Sequence, residues 1–472
     1  MAPKDTQDCS VKKESPHGRF ALFTDLYELT MMQAYFEEEM KDTAVFSLFV
    51  RRLPARRNFL LACGLGTVLR FLENLYFSDE DIAYLASIGR FSNRFLDWLR
   101  GFRFTGDVYA MPEGTPVFAN EPILEIVAPL PQAQILETLV MNQIHLQTML
   151  ASKAERVVTA ARGQPVIDFG SRRMHGIDAA LKGARAFYIG GVSATSNVLA
   201  GKRYGVPVAG TMAHSYVQAH EDEAAAFRVF ARIYPDTVLL VDTYDTLAGI
   251  RKIIRLADSL GEDFNVSAVR LDSGDLAVLS KEVRRMLDEA GLDGIGIFVS
   301  GGLEENAVVD LLSRGAPIDG FGVGTEMGVS SDAPSLDVVY KLCEYAGRGR
   351  VKLSTGKPVL PGRKQVFRRQ QGDGDVRDTI TRAHEDIPGG RPLLAPVMKA
   401  GKRLPEGMIG IETARGYAKE SIARLPAGIG AITMAHSPYP VDVSRALSGY
   451  QKEVCDRTYV GRHLTYKELT NG

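Results

Sequence analysis

Apolar and polar positions run along this 472-residue chain in two different rhythms. Residues 20–40 repeat apolar side chains at helical spacing (Leu26, Leu29, Met32, Phe36), with Thr24 or Asp25 placed to cap the start. Residues 44–50 (AVFSLFV) read as a strand. The pattern from 60 to 100 is helical, with breaks near Ser78-Asp79 and at Gly89. Between 101 and 131, short runs separated by Gly and Pro predict a small antiparallel sheet.

From residue 132 the rhythm changes. A long helical stretch (132–161) leads into seven units in which a buried strand ends in a polar tip: 165–173, 187–197, 206–215, 238–246, 268–276, 296–305 and 320–328. Helical patterns such as LAGIRKIIRLADSLG and LAVLSKEVRRMLDEAG separate them. Strands alternating with helices predict a parallel β/α barrel-like domain, whose carboxyl-end face carries the polar tips. After about residue 343 the alternation fades into short strands with basic turns. The predicted fold class is therefore α/β: a β/α barrel over 132–343, and a smaller α/β domain over 19–131 completed by 344–472. Residues 1–18 are expected to form a polar tail.

Composition narrows the class. Hydrophobic residues make up 45% and charged residues 24%, as in a soluble globular protein. Lys and Arg (56) nearly balance Asp and Glu (57), a net charge of -1 that argues against a nucleic-acid binder. The four cysteines (Cys9, Cys63, Cys343, Cys455) are far apart, so neither a cysteine zinc site nor a disulfide framework is expected. No apolar run is long enough to span a bilayer and the first residues lack a signal-peptide core, so a cytoplasmic protein without membrane partners is expected.

The chemistry concentrates at the strand tips. In 206–217 (VPVAGTMAHSYV) a short β-branched run reads as a buried strand that stops at Gly210, where Thr211, His214 and Ser215 emerge with no charged neighbour. Gly-Thr at a strand end offers N–H groups and a hydroxyl to an anion. His214, largely neutral near pH 7 with an ordinary pKa of about 6.5, would sit beside that anion as a nucleophile or base. Gly301-Gly302 and Gly324-Thr325 repeat the small-residue pattern at the late strands, where barrels often bind phosphate. Arg270 can grip a carboxylate bidentately or pair with a neighbouring aspartate. Arg172 and Arg173 suit phosphate, or one pairs with Asp168. Asp242 and Asp272 could hold sugar hydroxyls or a water-mediated Mg²⁺-diphosphate, whereas Asp245 and Asp275 look like helix caps. The basic stretch 362–369 reads as a solvated turn.

In chain order, TDLYELTMMQAYF, FGSRRMHG, GGVSATSNVLAGKRYGVPVAGTMAHS, VDTYDT, VRLDSGDL, SGGLEE, FGVGT, DAPSLDVVYKL and PGRKQVFR resemble the nicotinate phosphoribosyltransferase family over nearly the whole chain from residue 20. The resemblance implies a type II phosphoribosyltransferase fold: an irregular β/α barrel with a smaller α/β domain built from both chain ends. It implies a homodimer and a reaction joining nicotinate to 5-phosphoribosyl 1-diphosphate, with ATP as co-substrate and Mg²⁺ (or Mn²⁺) as cofactor. The overall reaction would be ligase-type, feeding NAD biosynthesis. His214 would then be transiently phosphorylated. Tyr27, Thr211 and Arg270 would hold nicotinate, and Arg172, Arg173, Asp272, Gly301, Gly302, Gly324 and Thr325 the phosphoribosyl diphosphate. The nicotinamide enzyme is the nearest alternative; it reads the carboxamide with an acid where this chain has Thr195-Ser196-Asn197. A barrel that only binds phosphorylated metabolites is the other.

Overall fold

The apolar stretch after residue 132 folds as the spine of the molecule. In the computed structural model, which describes residues 20–353 and 359–459, helix α1 (Glu137–Ala160) runs for 24 residues. The expected tail and Cys9 lie outside the described residues. Helix α1 is buried along most of its length. It packs on helix α2 (Ile177–Ile189), on helix Leu65–Glu73 and on strand Val338–Tyr345. Gly190 lets the end of α2 approach closely, since a Cβ there would fall 2.6 Å from the Ala151 carbonyl oxygen.

One sheet is the barrel-like layer. Its strands are β1 (Val166–Asp168), β2 (Ala194–Thr195), β3 (Thr237–Leu240), β4 (Val266–Leu271), β5 (Gly296–Val299) and β6 (Gly320–Val323). All six pair in parallel in the order β2-β1-β6-β5-β4-β3, and the sheet curls into part of a barrel. Helices α3 (Thr246–Leu260), α4 (Leu276–Glu289) and α5 (Glu305–Ser313) follow β3, β4 and β5.

The other large sheet has seven strands and draws on both chain ends. Antiparallel neighbours Val338–Tyr345, Thr43–Val50, Pro122–Pro129 and Asp107–Ala110 form its centre, and Ala395–Lys399 joins its side. The strand Val338–Tyr345 runs across the expected boundary at residue 343.

Several expectations are corrected. Residues 206–209 are not a strand: a single parallel bridge, Thr195 to Val208, joins them to β2, and Val208 is 52% exposed. Pro207 accepts from Thr195 N–H at 2.9 Å but has no N–H to continue a ladder. Residues 187–189 end α2 rather than forming a strand, and their apolar side chains face the helix packing. The first helix is shorter than expected, Leu26–Glu37. The stretch 362–369 is no solvated turn. It begins strand Lys364–Gln371, with Lys364 buried 3.1 Å from Glu125 and Arg368 fully buried 2.6 Å from Asp378.

A buried charge cluster joins these parts. Lys153 and Arg156 of α1 meet Glu305 at the start of α5, Lys153 also lies 2.9 Å from Asp332, and Arg57 reaches Asp332 at 3.0 Å. Burial alone would raise the Glu305 pKa, but the hydrogen bond and charge of Lys153, with Arg156, hold it down to about 2. Glu305→Gln should therefore cost about 3–5 kcal/mol of stability at neutral pH, read from denaturant midpoints, because two cations lose their counter-charge. A depressed carboxylate stabilises above its ordinary pKa of 4.5 and ceases to as pH falls towards about 2, so the difference from the parent should shrink over that window.

Candidate active site at the barrel mouth

Past the carboxyl ends of the strands, side chains tie each loop to the next. Asp242, two residues beyond β3, accepts from the Asp272 N–H at 2.8 Å and from the Ser273 hydroxyl at 2.6 Å. Asp272, the first residue beyond β4, accepts from the hydroxyl of Ser300, the first beyond β5. Asp242 Oδ1 is buried with no hydrogen-bond partner among the described residues. Asp245 and Asp275 cap α3 and α4, as expected.

His214 starts a short helix, His214–Gln218, over this row of loops. Its Nδ1 lies 3.1 Å from Thr243 Oγ1 and its Nε2 lies 4.0 Å from Asp272 Oδ2. Arg270, near the end of β4, donates through Nη2 to the Met212 carbonyl oxygen at 3.1 Å. Thr211 donates its hydroxyl to the same oxygen at 3.2 Å. The Arg270 guanidinium also stands 5.7 Å from the Phe169 ring centroid, and its Nε is buried without a partner. Burial lowers the Arg270 pKa, opposed by Asp272 and Asp242 and assisted by Arg172. Arg270 is thus held in place while part of its donor set remains unspent.

The glycine-lined side adjoins this centre. Gly301 (φ +95°) and Gly302 (φ +63°) turn the chain beyond Ser300, and a Cβ on Gly301 would fall 2.0 Å from the Asp272 carbonyl oxygen. Arg173 donates to the Thr325 hydroxyl at 3.1 Å, and Arg172 and Arg173 are both exposed. Neither pairs with Asp168, which is buried and accepts from the Gly170 N–H and the Thr195 hydroxyl, each at 2.7 Å. A Cβ on Gly170 would lie 3.0 Å from the Gly324 carbonyl oxygen, so the β1 and β6 loops touch.

The fold therefore gathers Thr211, His214, Asp242, Arg270, Asp272 and the Gly301-Gly302 turn, with Arg172, Arg173, Gly324 and Thr325 on the adjoining β1 and β6 loops. Tyr27 stands apart. It is 45% exposed on helix Leu26–Glu37, and burial and the neighbouring Glu137 raise its pKa. Among the described residues no hydrogen bond or ring contact joins it to the mouth. Sequence reasoning gives no role to Phe169, Thr243 or Ser273; it groups Ser300 with Gly301-Gly302 as a phosphate candidate, and here Ser300 donates to Asp272. Phe169 carried a signal, an aromatic opposite glycines: a Cβ on Gly322 would lie 2.5 Å from its ring.

Among the described residues no group of three or more His, Cys, Asp or Glu could hold a metal. Asp242 and Asp272 lie on adjacent loops, joined through the Asp272 N–H. No helix among the described residues is long and apolar enough to cross a membrane.

Known proteins resemble this chain along its length. Residues 22–145 match the nicotinate phosphoribosyltransferase N-terminal domain, and 165–385 match the nicotinate phosphoribosyltransferase family. The chain is 53% identical over 429 residues to nicotinate phosphoribosyltransferase pncB2 of Mycobacterium tuberculosis, covering 91% of this chain and 92% of the relative. It is 44% identical over 356 residues to nicotinate phosphoribosyltransferase of Bacillus subtilis, covering 74% and 73%. The solved human nicotinic acid phosphoribosyltransferase superposes with a TM-score of 0.82 at 29% identity, over 92% of this chain and 100% of that one.

The Gly301 turn has a direct test. Gly301→Ala places its Cβ against Asp272 at a left-handed φ, so the loop must move. Millimolar inorganic diphosphate is expected to stabilise the parent against heat, and in Gly301→Ala its apparent affinity should fall at least about tenfold with the unliganded melting temperature changed by a few degrees at most.

Proposed function

The chain belongs to the nicotinate phosphoribosyltransferase family, and on that premise we propose that it joins nicotinate to 5-phosphoribosyl 1-diphosphate. The products are nicotinate mononucleotide and diphosphate, and ATP hydrolysis is coupled through His214 in the salvage of nicotinate for NAD. The observation that carries this reading is Arg270, part-buried at the mouth with an unpartnered Nε within a residue's reach of the His214 loop.

An anionic ring substituent suits that guanidinium better than a neutral amide does. This favours nicotinate over nicotinamide, as does the lack of an acid at Thr195-Ser196-Asn197. Thr211 shares the Met212 oxygen with Arg270, so both border one pocket for the ring carboxylate, and Phe169 offers the face behind it. The pyridine nitrogen attacks the anomeric carbon as the bond to diphosphate breaks, so the site positions reactants and spreads charge. Gly301, Gly302, Gly324 and Thr325, with Arg172 and Arg173, hold the phosphates. Asp242 and Asp272 fit a Mg²⁺ or Mn²⁺ ion through water, given the unspent Oδ1 of Asp242. Such an ion, when bound, neutralises the leaving diphosphate. His214 takes the γ-phosphoryl group of ATP as an N–P bond forms and ADP leaves.

Tyr27 serves the ring of a second subunit in this reading. Phe20, Phe23, Leu26 and Tyr27 are each exposed by 43–48% in the single chain, which suits a homodimer interface. Among the described residues Cys63, Cys343 and Cys455 are free and buried, which suits the cytoplasm.

Purified protein supplied with nicotinate, phosphoribosyl diphosphate, Mg²⁺ and ATP is expected to form nicotinate mononucleotide and to hydrolyse ATP. His214→Ala should abolish ATP hydrolysis and ATP stimulation while keeping some transferase activity; undiminished ATP hydrolysis would remove His214 from that role. Arg270→Ala should raise the KM for nicotinate by roughly 10- to 150-fold, the worth of a charge-assisted hydrogen bond, and leave little preference over nicotinamide. An unchanged KM would exclude Arg270 from the ring pocket.

A further inference from the structure

We propose that Thr243 is a positioning residue for His214, its hydroxyl fixing the imidazole ring so that Nε2 stays turned to Asp272 and the mouth of the barrel. The inference rests on the role given to His214 above. Three observations carry it.

The ring has one hydrogen-bond partner among the described residues, Thr243 Oγ1 at 3.1 Å from Nδ1. Asp272 does not hold it: 4.0 Å from Nε2 is beyond hydrogen-bond range. The helix that carries His214 is five residues long and its ring is 40% exposed, so little packing stops rotation of the ring.

Thr243 itself is fixed from both sides. Asp242 before it is bound to the Asp272 N–H and the Ser273 hydroxyl. Asp245 after it caps α3, accepting from the Ala248 N–H at 2.6 Å. A side chain between two anchored residues is a fixed point, which is what precise placement of a reacting group needs.

The chemistry of the partner also matters. A carboxylate only accepts, whereas a hydroxyl donates or accepts. Thr243 can therefore hold Nδ1 whether that nitrogen carries a proton or a lone pair.

Thr243→Val keeps the shape and removes the hydroxyl; Thr243→Ser keeps the hydroxyl. With labelled ATP and Mg²⁺, Thr243→Val is expected to slow phosphohistidine formation by at least about tenfold, with the KM for nicotinate within about twofold of the parent. Thr243→Ser should restore the rate to within about threefold of the parent. Equal rates in Thr243→Val and the parent would overturn the proposal, as would equal loss in both variants. NMR of protein carrying ¹³C-labelled histidine, with the His214 signal picked out of the eight histidines by His214→Ala, gives a readout that needs no ATP. A ring held by Thr243 is as ordered as the backbone in the parent and gains motion in Thr243→Val; a ring already mobile in the parent overturns the proposal. If the parent forms no phosphohistidine yet its ring is ordered and Thr243→Val frees it, the role of His214 fails while the positioning by Thr243 stands.

Discussion

The architecture depends on a group of charges that cannot be buried piecemeal. Lys153, Arg156, Glu305, Asp332 and Arg57 lie in the interior, their side chains at most 11% exposed. They come from four contexts: Arg57 from the segment after strand Thr43–Val50, Lys153 and Arg156 from the central helix, Glu305 from the start of α5 and Asp332 from the loop beyond β6. An ion removed from water without its partner is far more costly than the pair. The N-terminal segment, the spine and the late half of the barrel therefore meet together or not at all. One consequence is local. Glu305 lies three residues beyond Gly302, so the cluster that joins the layers also sets the exit of the glycine turn at the mouth.

Beyond the strands, the mouth is organised by the same rule on a smaller scale. Asp242, Asp272 and Ser300 form a relay in which each side chain satisfies a group on the next loop. Loops that would otherwise move independently become one surface. The bonds left unmade are as informative as those made. Asp242 keeps one oxygen and Arg270 keeps its Nε without partners, both at the mouth. Buried polar atoms are rarely left so. Structural bonds hold the groups, and these two atoms keep hydrogen-bonding capacity at the mouth.

Phe20 and Phe23, ahead of the first helix, and Leu26 and Tyr27 in its first turn leave apolar surface uncovered, while the same helix buries Leu29 and Met32. Its periodicity pointed to one apolar stripe, but the stripe divides between core and surface. Helical spacing alone cannot distinguish a face turned inward from one kept for another molecule.

Much of this was legible in the chain itself. Alternating β and α patterns from residue 132 onward identified the parallel layer, because buried parallel strands must be apolar on both faces and their polar residues are forced to the tips. Arg270, Asp272 and the glycine pairs lie at strand ends by that rule, whereas Thr211 and His214 follow a segment that makes only a single bridge. Local pattern misled where burial came from a distant neighbour. Phe187 and Ile189 look like a strand but end a helix packed on the spine, and Val206 and Val208 flank a proline that allows only one bridge. Lys364 and Arg368 look solvated, yet Glu125 and Asp378 lie opposite them in space. The composition and order of side chains determined which groups were available and at which strand ends. Only the tertiary structure decided which of them meet, because hydrogen bonds and ion pairs between loops act over a few ångströms of space and leave no trace in sequence spacing.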